Sequence, residues 1–463
     1  MYNYSITPHG LVLLVISEVT IPLKHRTLPF FLALYIINIG EGGHRPCIQT
    51  FAADQFGDHL PSEKATKRSF FNWWYLGIVL AGTTATLIVP YVQGKYGWGW
   101  GYGISGVVVA VALVVFLAGK STYRQEAPVG SSVTKVAQVV VAAFKKQRLS
   151  HENRFQLCLI EAGESSQAMT RNLAHTNQFR FLDKAAFIDE IDMSLDKKDS
   201  WRLSTVNQVK PVKILFRLIP IWLSCLMFTV VIAQIHTLYT KQASTLNRTI
   251  WSNNHELQPA SFQVITGLTI LAAVPIYERL LIPTAKHLTG NPFGITMLQR
   301  IGCGIFFSIL TMMISALVES KRVRIATQHG LIDRPKTTLP MSVWWLVPQY
   351  VLMGISDVFT IVGLQELFYD QVPEEMRSMG AAAYLSIVGV GNFISSALIS
   401  LVQVITAKHG DEWLKGDNLN KAHLDYFYWL LACLSGLSLV FYVPLAKGFI
   451  YKKLQSDGEV MII

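Results

Sequence analysis

The sequence predicts an all-α integral membrane protein, because charge is scarce, long apolar stretches recur and one polar segment divides them. Of the 463 residues, 51% are hydrophobic and 15% are charged, against about 25% charged in an ordinary soluble protein. The mean hydropathy is +0.35. A helix needs about 20 mostly apolar residues to cross a bilayer core about 30 Å thick, and several stretches reach that length.

Ten stretches are predicted to span the membrane, four before the polar segment and six after it. The first is short and contains Glu18, which makes it the weakest candidate. We therefore predict an N-terminal bundle over 1–119, a linker over 120–212 and a C-terminal six-helix bundle over 213–463. The predicted spans are 9–22, 29–47, 70–92, 99–119, 214–236, 262–282, 296–318, 343–364, 379–406 and 425–446.

The linker has the composition of a cytosolic segment, since it is rich in Lys and Arg. Its stretch from Ser131 to Lys146 places apolar residues at helical spacing between basic ends, which predicts an amphipathic helix at the membrane surface. Alternation of the spans then places Asn247 on the opposite side, where its Asn-Arg-Thr sequon is a predicted glycosylation site. The basic loop 319–341 disagrees with this orientation, because alternation places it outside as well.

The net charge of +10 is explained by basic loops that meet anionic lipid head groups. No basic run is interleaved with stacking aromatic residues, so nucleic acid is not a predicted partner. The five cysteines form no CxxC pair and predict neither a disulfide framework nor a metal site. Hydrolase, P-loop, metalloprotease and dinucleotide motifs are all absent from the sequence. We therefore predict a protein that is not an enzyme, without metal or cofactor, and transport that is not driven directly by ATP.

Charged residues in or beside apolar stretches are the first candidates for binding a solute, because a charge in a span is costly. Glu366 ends an apolar run that begins at Val358, where it either binds an amine or a proton or lies at head-group level. Arg45 lies in a glycine-rich stretch beginning at Gly40. Its planar guanidinium can hold a carboxylate or nitrate, or else reach lipid phosphate.

Two further groups have both a functional and a structural interpretation. Tyr75 closes an aromatic run that begins at Phe70, and it either lines a pathway or belongs to an interfacial aromatic belt. Tyr277-Glu278-Arg279 ends a span and either forms a charge latch that gates one side or is a plain positive loop. We predict Glu278 and Arg279 as gating residues.

Several sequence motifs follow one another along nearly the whole chain. They are GGHRPC at 42–47, FAADQF at 51–56, SFFNWWY at 69–75, HTNQFRFLDKAA at 175–186, LQELFYDQVPEEMRSMG at 364–380 and LDYFYWL at 424–430. In this order they resemble the motifs of the plant nitrate and peptide transporter family, which is the proton-dependent oligopeptide transporter family. The resemblance implies the major facilitator fold, with twelve helices in two six-helix halves, and proton-coupled symport.

The same resemblance assigns the predicted spans to helices 3–12 of the twelve-helix carrier. The bundle over 1–119 is then incomplete, and the first-helix ExxER motif, which carries much of the family's proton coupling, is not in this sequence. Arg45 matches the family's fourth-helix lysine, and Glu366 matches its tenth-helix acid. Ile232 replaces the histidine of nitrate-transporting members, and Val79 appears at the place of the asparagine of peptide-transporting members.

These observations predict a carrier of small polar solutes such as nitrate, di- or tripeptides or related organic anions. It works by alternating access and is proton-coupled in the complete protein, so its predicted partners are the solute, protons and the lipid bilayer. The alternative is a non-transporting, truncated membrane protein that binds a ligand or pairs with a full-length relative. The plasma membrane and the vacuolar membrane are both candidate locations. The predicted substrate-binding residues are Arg45, Tyr75, Gln234 and Glu366, with Glu366 also the proton-coupling residue.

Overall fold

The structure, a computed structural model, is almost entirely helical. It describes residues 6–55, 61–124, 131–147, 178–189, 192, 199–250, 255–289, 295–335, 337–373, 376–408, 413–414, 416, 418–451, 453–456 and 459–462. The chain forms two compact units. The first comprises Met1–Gln125, Cys225–Leu364 and Leu385–Phe441, and the second comprises Glu126–Ser224, Gln365–Tyr384 and Tyr442–Ile463.

The first four long helices belong to the first unit. They are α1 (Ile6–Val19), α2 (Thr27–Asp54), α3 (Pro61–Tyr96) and α4 (Trp98–Ala118). Helix α1 packs closely on α2 because Gly10 has no side chain, and a Cβ there would lie 2.6 Å from Cγ1 of Ile37. Glu18, the charged residue of the weakest predicted span, accepts a 2.9 Å bond from Nη1 of Arg26 in the turn between the two helices.

The remaining helices lie within the polar segment or after it. They are α5 (Ser132–Lys145), α6 (Arg180–Asp183), α7 (Val206–Ser224), α8 (Leu226–His236), α9 (Leu238–Ser244), α10 (Val264–Ile276), α11 (Ile282–Thr289), α12 (Met297–Gln328), α13 (Val347–Asp370), α14 (Arg377–Lys408) and α15 (Leu424–Lys447). A π-helical turn, Tyr277–Leu281, joins α10 to α11.

Three short strand pairs accompany the helices. β1 (Leu246–Asn247) pairs in parallel with β4 (Leu339–Ser342), and β2 (Thr249–Ile250) pairs antiparallel with β3 (His255–Glu256). Near the end of the chain, β5 (Lys453–Ser456) and β6 (Glu459–Ile462) form the third, antiparallel pair.

The predicted spans all coincide with helices. Within the described residues, 7 helices are long and apolar enough to cross a membrane, and up to 8 if the pair α7 and α8–α9, bent by 50°, forms one span. The 14-residue α1 is shorter than such a span, and α2 carries Glu41 and Arg45 within it. The prediction of an all-α membrane protein is confirmed.

The hydrophobic core of the first unit surrounds three tyrosine rings from separate helices. Tyr239 packs edge-on against Tyr350 with ring centroids 5.4 Å apart, and against Tyr428 at 5.8 Å. The Tyr239 hydroxyl lies 2.5 Å from Oγ of Ser315. These contacts join α9, α12, α13 and α15 in one core.

A buried ion pair extends this core along α12. Nε and Nη2 of Arg322 donate to the carboxylate of Glu319 at 2.8 and 2.6 Å, and both side chains are 0% exposed. Nη1 of Arg322 also donates to Oδ1 of Asn420 at 2.6 Å. Glu319 accepts a 2.7 Å bond from Nε2 of Gln242. Helix α12 continues past the predicted end of the span at 318 to Gln328, and within it Glu319 and Arg322 neutralise each other.

The second unit contains the helix at the predicted amphipathic segment. Oγ of Ser131 caps α5 by accepting from the Thr134 N–H, as is favourable at a helix N-terminus. One face of α5 packs Val139 and Ala142 into a small core with Leu182. The outward face carries Phe144, which is exposed.

Ion pairs also connect the residues of this unit beside α5. Nζ of Lys146 lies 2.5 Å from the carboxylate of Asp192, and both are buried. Arg202 bridges the same carboxylate at 3.0 Å and that of Asp189 at 2.6 Å. Partial burial alone would raise the pKa of Asp189, but the Asp192 N–H and the Arg202 guanidinium hold that pKa below its ordinary value.

Candidate functional site

Arg45 projects from the glycine-rich part of α2 and is well exposed. Its side chain is 67% exposed, and its Nε donates to Oε2 of Glu41 at 2.6 Å, one turn earlier in the helix. Glu41 was not among the sequence-predicted residues. An exposed pair of this kind contributes about 0–1 kcal/mol, so Arg45 can exchange its carboxylate partner at little cost.

Gln234 lies on α8 and is completely buried. Its Nε2 donates to the Val230 carbonyl at 2.7 Å and to Oγ of Ser395, on α14, at 3.0 Å. Its Oε1 accepts no hydrogen bond within the described part of the chain. In this conformation the amide joins α8 to α14, and its predicted contact with a substrate stays a prediction.

The other predicted site residues have separate environments. Glu366 lies in the second unit, near the end of α13, and is exposed. The side chain of Tyr75, on α3, lies outside the described residues. Glu278 and Arg279 are exposed, and neither forms an ion pair or hydrogen bond with another residue in the described ranges. Their predicted roles stay predictions.

Asp357 is a charged residue of the spans that the sequence analysis missed. It lies near the middle of α13 and is half-buried. No hydrogen bond or ion pair joins it to another residue that the structure describes. The signal was available in the sequence, because an acid inside an otherwise apolar stretch marks a functional candidate.

Close helix packing fixes the backbone around Asp357. Gly354 lies against α10, where a Cβ would be 2.7 Å from Cβ of Thr269. On the side of α12, the Ser356 hydroxyl donates to the Gly304 carbonyl at 2.7 Å. Helix α13 is therefore held between α10 and α12 immediately before the carboxylate.

Two buried side chains adjoin this part of α13. Tyr277, the first residue of the predicted gating motif, is 5% exposed, and Arg300 is 6% exposed. The Arg300 guanidinium carbon lies 4.0 Å from the centroid of the Tyr277 ring. Nη2 of Arg300 donates to the Val358 carbonyl at 3.1 Å. The tyrosine of the motif thus faces inward, while Glu278 and Arg279 face outward.

Comparison with known proteins identifies the family of this chain. A family model described as the POT family, PTR2, matches residues 1–415. The chain belongs to the POT family. Among Arabidopsis thaliana relatives, Protein NRT1/ PTR FAMILY 5.4 is 51% identical over 456 residues, covering 97% of this chain and 82% of the relative. Protein NRT1/ PTR FAMILY 5.10 is 45% identical over 436 residues, covering 94% and 75%.

Solved structures of POT family members agree in fold. An auto-inhibited POT family peptide transporter aligns with a TM-score of 0.64 at 18% identity, over 99% of this chain and 83% of that one. The POT family transporter PepTSo aligns with a TM-score of 0.63 at 19% identity, over 96% and 83%. The predicted major facilitator fold is confirmed. This POT family chain is an integral, multi-pass membrane transporter of small solutes, and the non-transporting alternative is not favoured.

Proposed function

We propose that this transporter carries a small solute bearing both a positive and a negative charge, such as a short peptide, by proton-coupled alternating access. We infer that it acts as a carrier and not as an enzyme, since its family is a family of transporters. The observation that carries the proposal is a pair of opposite charges on two helices of the first unit. These are Arg45 on α2 and Asp357 on α13.

Arg45 is the proposed contact for the negative end of the solute. A guanidinium presents two parallel N–H donors that match a carboxylate. Glu41 already occupies this position in the structure, at 2.6 Å from Nε. A solute carboxylate would replace one carboxylate by another, so the charge on Arg45 stays neutralised throughout the exchange.

Asp357 is the proposed contact for the positive end. A carboxylate at the centre of a span is retained against a solvation cost, and such groups hold cationic ligands or relay protons. Its half-buried position and lack of a described partner leave the carboxylate oxygens available to an ammonium group or a proton. Tyr75, Gln234 and Glu366 remain further proposed substrate contacts, with Glu366 also a candidate for proton coupling.

Uptake into proteoliposomes under an inward proton gradient tests the proposal. The probes are radiolabelled dialanine and ¹⁵N-nitrate, and the variants are Arg45→Ala, Asp357→Asn and Glu366→Gln. Losing one charged contact of about 1.5 kcal/mol lowers dialanine uptake about tenfold. The exposed loop variants Asp333→Asn and Arg334→Ala serve as charge-matched controls.

The results separate the alternatives. Uptake of dialanine that is unchanged by both Arg45→Ala and Asp357→Asn would contradict their proposed roles. If the protein takes up nitrate but not dialanine, the substrate is an anion and not a solute that bears both charges. A loss of dialanine uptake confined to Glu366→Gln would move the positive-end contact from Asp357 to Glu366.

The orientation and location are proposed together. Asn247 is exposed at the end of β1, and its Oδ1 accepts a 3.0 Å bond from the Thr249 N–H. We expect glycosylation there if this loop faces a lumen or the exterior. An endoglycosidase mobility shift that Asn247→Gln abolishes checks this. A fluorescent fusion distinguishes the plasma membrane from the vacuolar membrane.

A further inference from the structure

The π-helical turn Tyr277–Leu281 interrupts the regular helix between α10 and α11. A π turn accommodates one residue more than an α turn, and single π turns inside helices are frequent at functional sites. Here the turn begins with the buried Tyr277 and continues with the exposed Glu278 and Arg279. The irregular turn thus places one aromatic ring inside the first unit.

The Tyr277 ring is covered by a cation from another helix. The guanidinium carbon of Arg300, on α12, lies 4.0 Å from the ring centroid. Both side chains are buried, which strengthens an attraction between a cation and the negative face of a ring. The contact therefore ties the π turn to the beginning of α12.

Arg300 also reaches the helix that carries the proposed solute carboxylate. Its Nη2 donates to the carbonyl of Val358, the residue that follows Asp357. The stem of Arg300 passes Gly363, where an added Cβ would lie 3.6 Å from Cδ of the arginine. The ring of Phe359 completes the group, with its centroid 5.4 Å from that of Tyr277.

We propose that Arg300 and Tyr277 form a clamp that positions Asp357 for binding the solute. The guanidinium is held on one side by the Tyr277 ring and on the other by the backbone carbonyl next to Asp357. This inference rests on the proposed function, because it gives Asp357 a contact with the solute. A binding group displaced by about 1 Å loses much of its effect, even when the displaced backbone is not itself in contact with the ligand.

Paired substitutions test the clamp in the full chain reconstituted in proteoliposomes. Tyr277→Leu removes the ring, whereas Tyr277→Phe keeps its face. Arg300→Gln removes the charge, whereas Arg300→Lys keeps it without the planar fork. Phe393→Leu, at an exposed ring, is the matched control for loss of an aromatic residue. Initial rates of dialanine uptake are measured against concentration and normalised to reconstituted protein.

We expect Tyr277→Leu and Arg300→Gln to raise KM about tenfold while changing normalised Vmax less than about threefold. Tyr277→Phe should restore KM to within about twofold of the parent, and Arg300→Lys should be intermediate. A fall in Vmax with unchanged KM in both disruptive variants would overturn the clamp as a positioning device. A Tyr277→Phe variant as impaired as Tyr277→Leu would exclude the ring face as the contact.

The combined variant Tyr277→Leu with Asp357→Asn separates the clamp from the proposed function. If the clamp acts through Asp357, the two effects on KM are not additive. Additive effects overturn the clamp and leave the role of Asp357 intact. If Asp357→Asn alone leaves the dialanine kinetics unchanged, the proposed contact between Asp357 and the solute is overturned. The action of the clamp through that contact is then overturned as well. A parent protein without dialanine uptake overturns the doubly charged solute and, with it, this role of the clamp.

Discussion

Two buried arginines on the same helix, α12, are held in contrasting ways. Arg322 forms a two-bond pair with Glu319 and further bonds to Asn420 and to the Leu419 carbonyl. Arg300 contacts the face of the Tyr277 ring and the Val358 carbonyl on a neighbouring helix. The first arrangement joins several elements through directional, charge-assisted bonds. The second includes a cation–π contact, which is less directional than a bidentate ion pair.

The two kinds of contact differ in how much displacement of the guanidinium they tolerate. A fully bonded ion pair in a dry core holds one geometry, because any displacement exposes an uncompensated charge. A guanidinium on an aromatic ring tolerates sliding across the ring face. The end of α12 near Arg322 is held by a bidentate ion pair, whereas the contacts at the end near Arg300 include an aromatic ring face.

The largest expected effect on stability is at the end of α12 that contains Arg322. Arg322→Leu leaves Glu319 buried without its cation, so we expect a loss of about 3–5 kcal/mol in the free energy of unfolding. The double variant Glu319→Leu with Arg322→Met should recover most of that loss. Unfolding of the purified protein in detergent, followed by tryptophan fluorescence, measures both. Asp333→Asn, at an exposed surface pair, is the control. Equal damage from the double variant and the single variant would contradict a role for charge neutralisation.

A smaller loss in the free energy of unfolding is expected at the end of α12 that contains Arg300. Tyr277→Leu removes a desolvated cation–π contact, which is worth about 2 kcal/mol. The same unfolding measurement should therefore rank it between Arg322→Leu and the surface control. A loss as large as that of Arg322→Leu would abolish the distinction between the two ends.

Arg45 extends the comparison to an exposed arginine. Glu41→Gln removes one member of a surface pair, so we expect less than about 1 kcal/mol of destabilisation. Because Arg45 is then free of a competing carboxylate, the KM for dialanine should fall severalfold. Uptake kinetics in proteoliposomes measure this change. An increased KM would indicate that Glu41 itself contacts the solute.

The smallest effect concerns the ion pairs of Arg202 in the second unit. The folded-state pKa of Asp189 lies below its unfolded value of about 3.9, so its stabilising contribution is present above about pH 4. It is lost as the pH falls through the folded-state pKa. The protection factors of the amides of 178–189, which correct the exchange rates for the intrinsic rate at each pH, should therefore fall at low pH, and Arg202→Gln should lessen that dependence. A pH dependence unaltered by Arg202→Gln would attribute it to other groups.

The helices and the family could be predicted from the sequence because both depend on local patterns. Apolar length located the long helices, although 7 or up to 8 of them in the described residues have the length and composition of a membrane span, and the ordered motifs identified the transporter family. The different contacts of Arg300 and Arg322 on α12 could not be predicted from the sequence. Residues 319–341 were predicted as a basic loop, whereas the helix continues to Gln328 and contains the buried pair of Glu319 and Arg322.

The candidate site was predicted less completely, because its contacts join residues far apart in the chain. Arg45 was found through the glycines around it, whereas Asp357 was passed over in favour of Glu366. Tyr277 was grouped with Glu278 and Arg279 as one charged motif. The burial of the Tyr277 ring and its contact with Arg300 show that it points inward. Local sequence does not reveal this, nor the irregular helical turn in which the residue lies.

That π turn has a consequence for how the chain tolerates changes in length. Each residue of an α-helix advances the direction of its side chain by about 100°, so one extra residue changes the angular phase of everything that follows. Because the π turn accommodates one extra residue, deleting one residue from Tyr277–Leu281 would regularise the helix and leave Lys286 and His287 near their present directions. The angular alignment of α11 therefore depends on the number of residues in this turn and on its π geometry together, as well as on the identity of the residues.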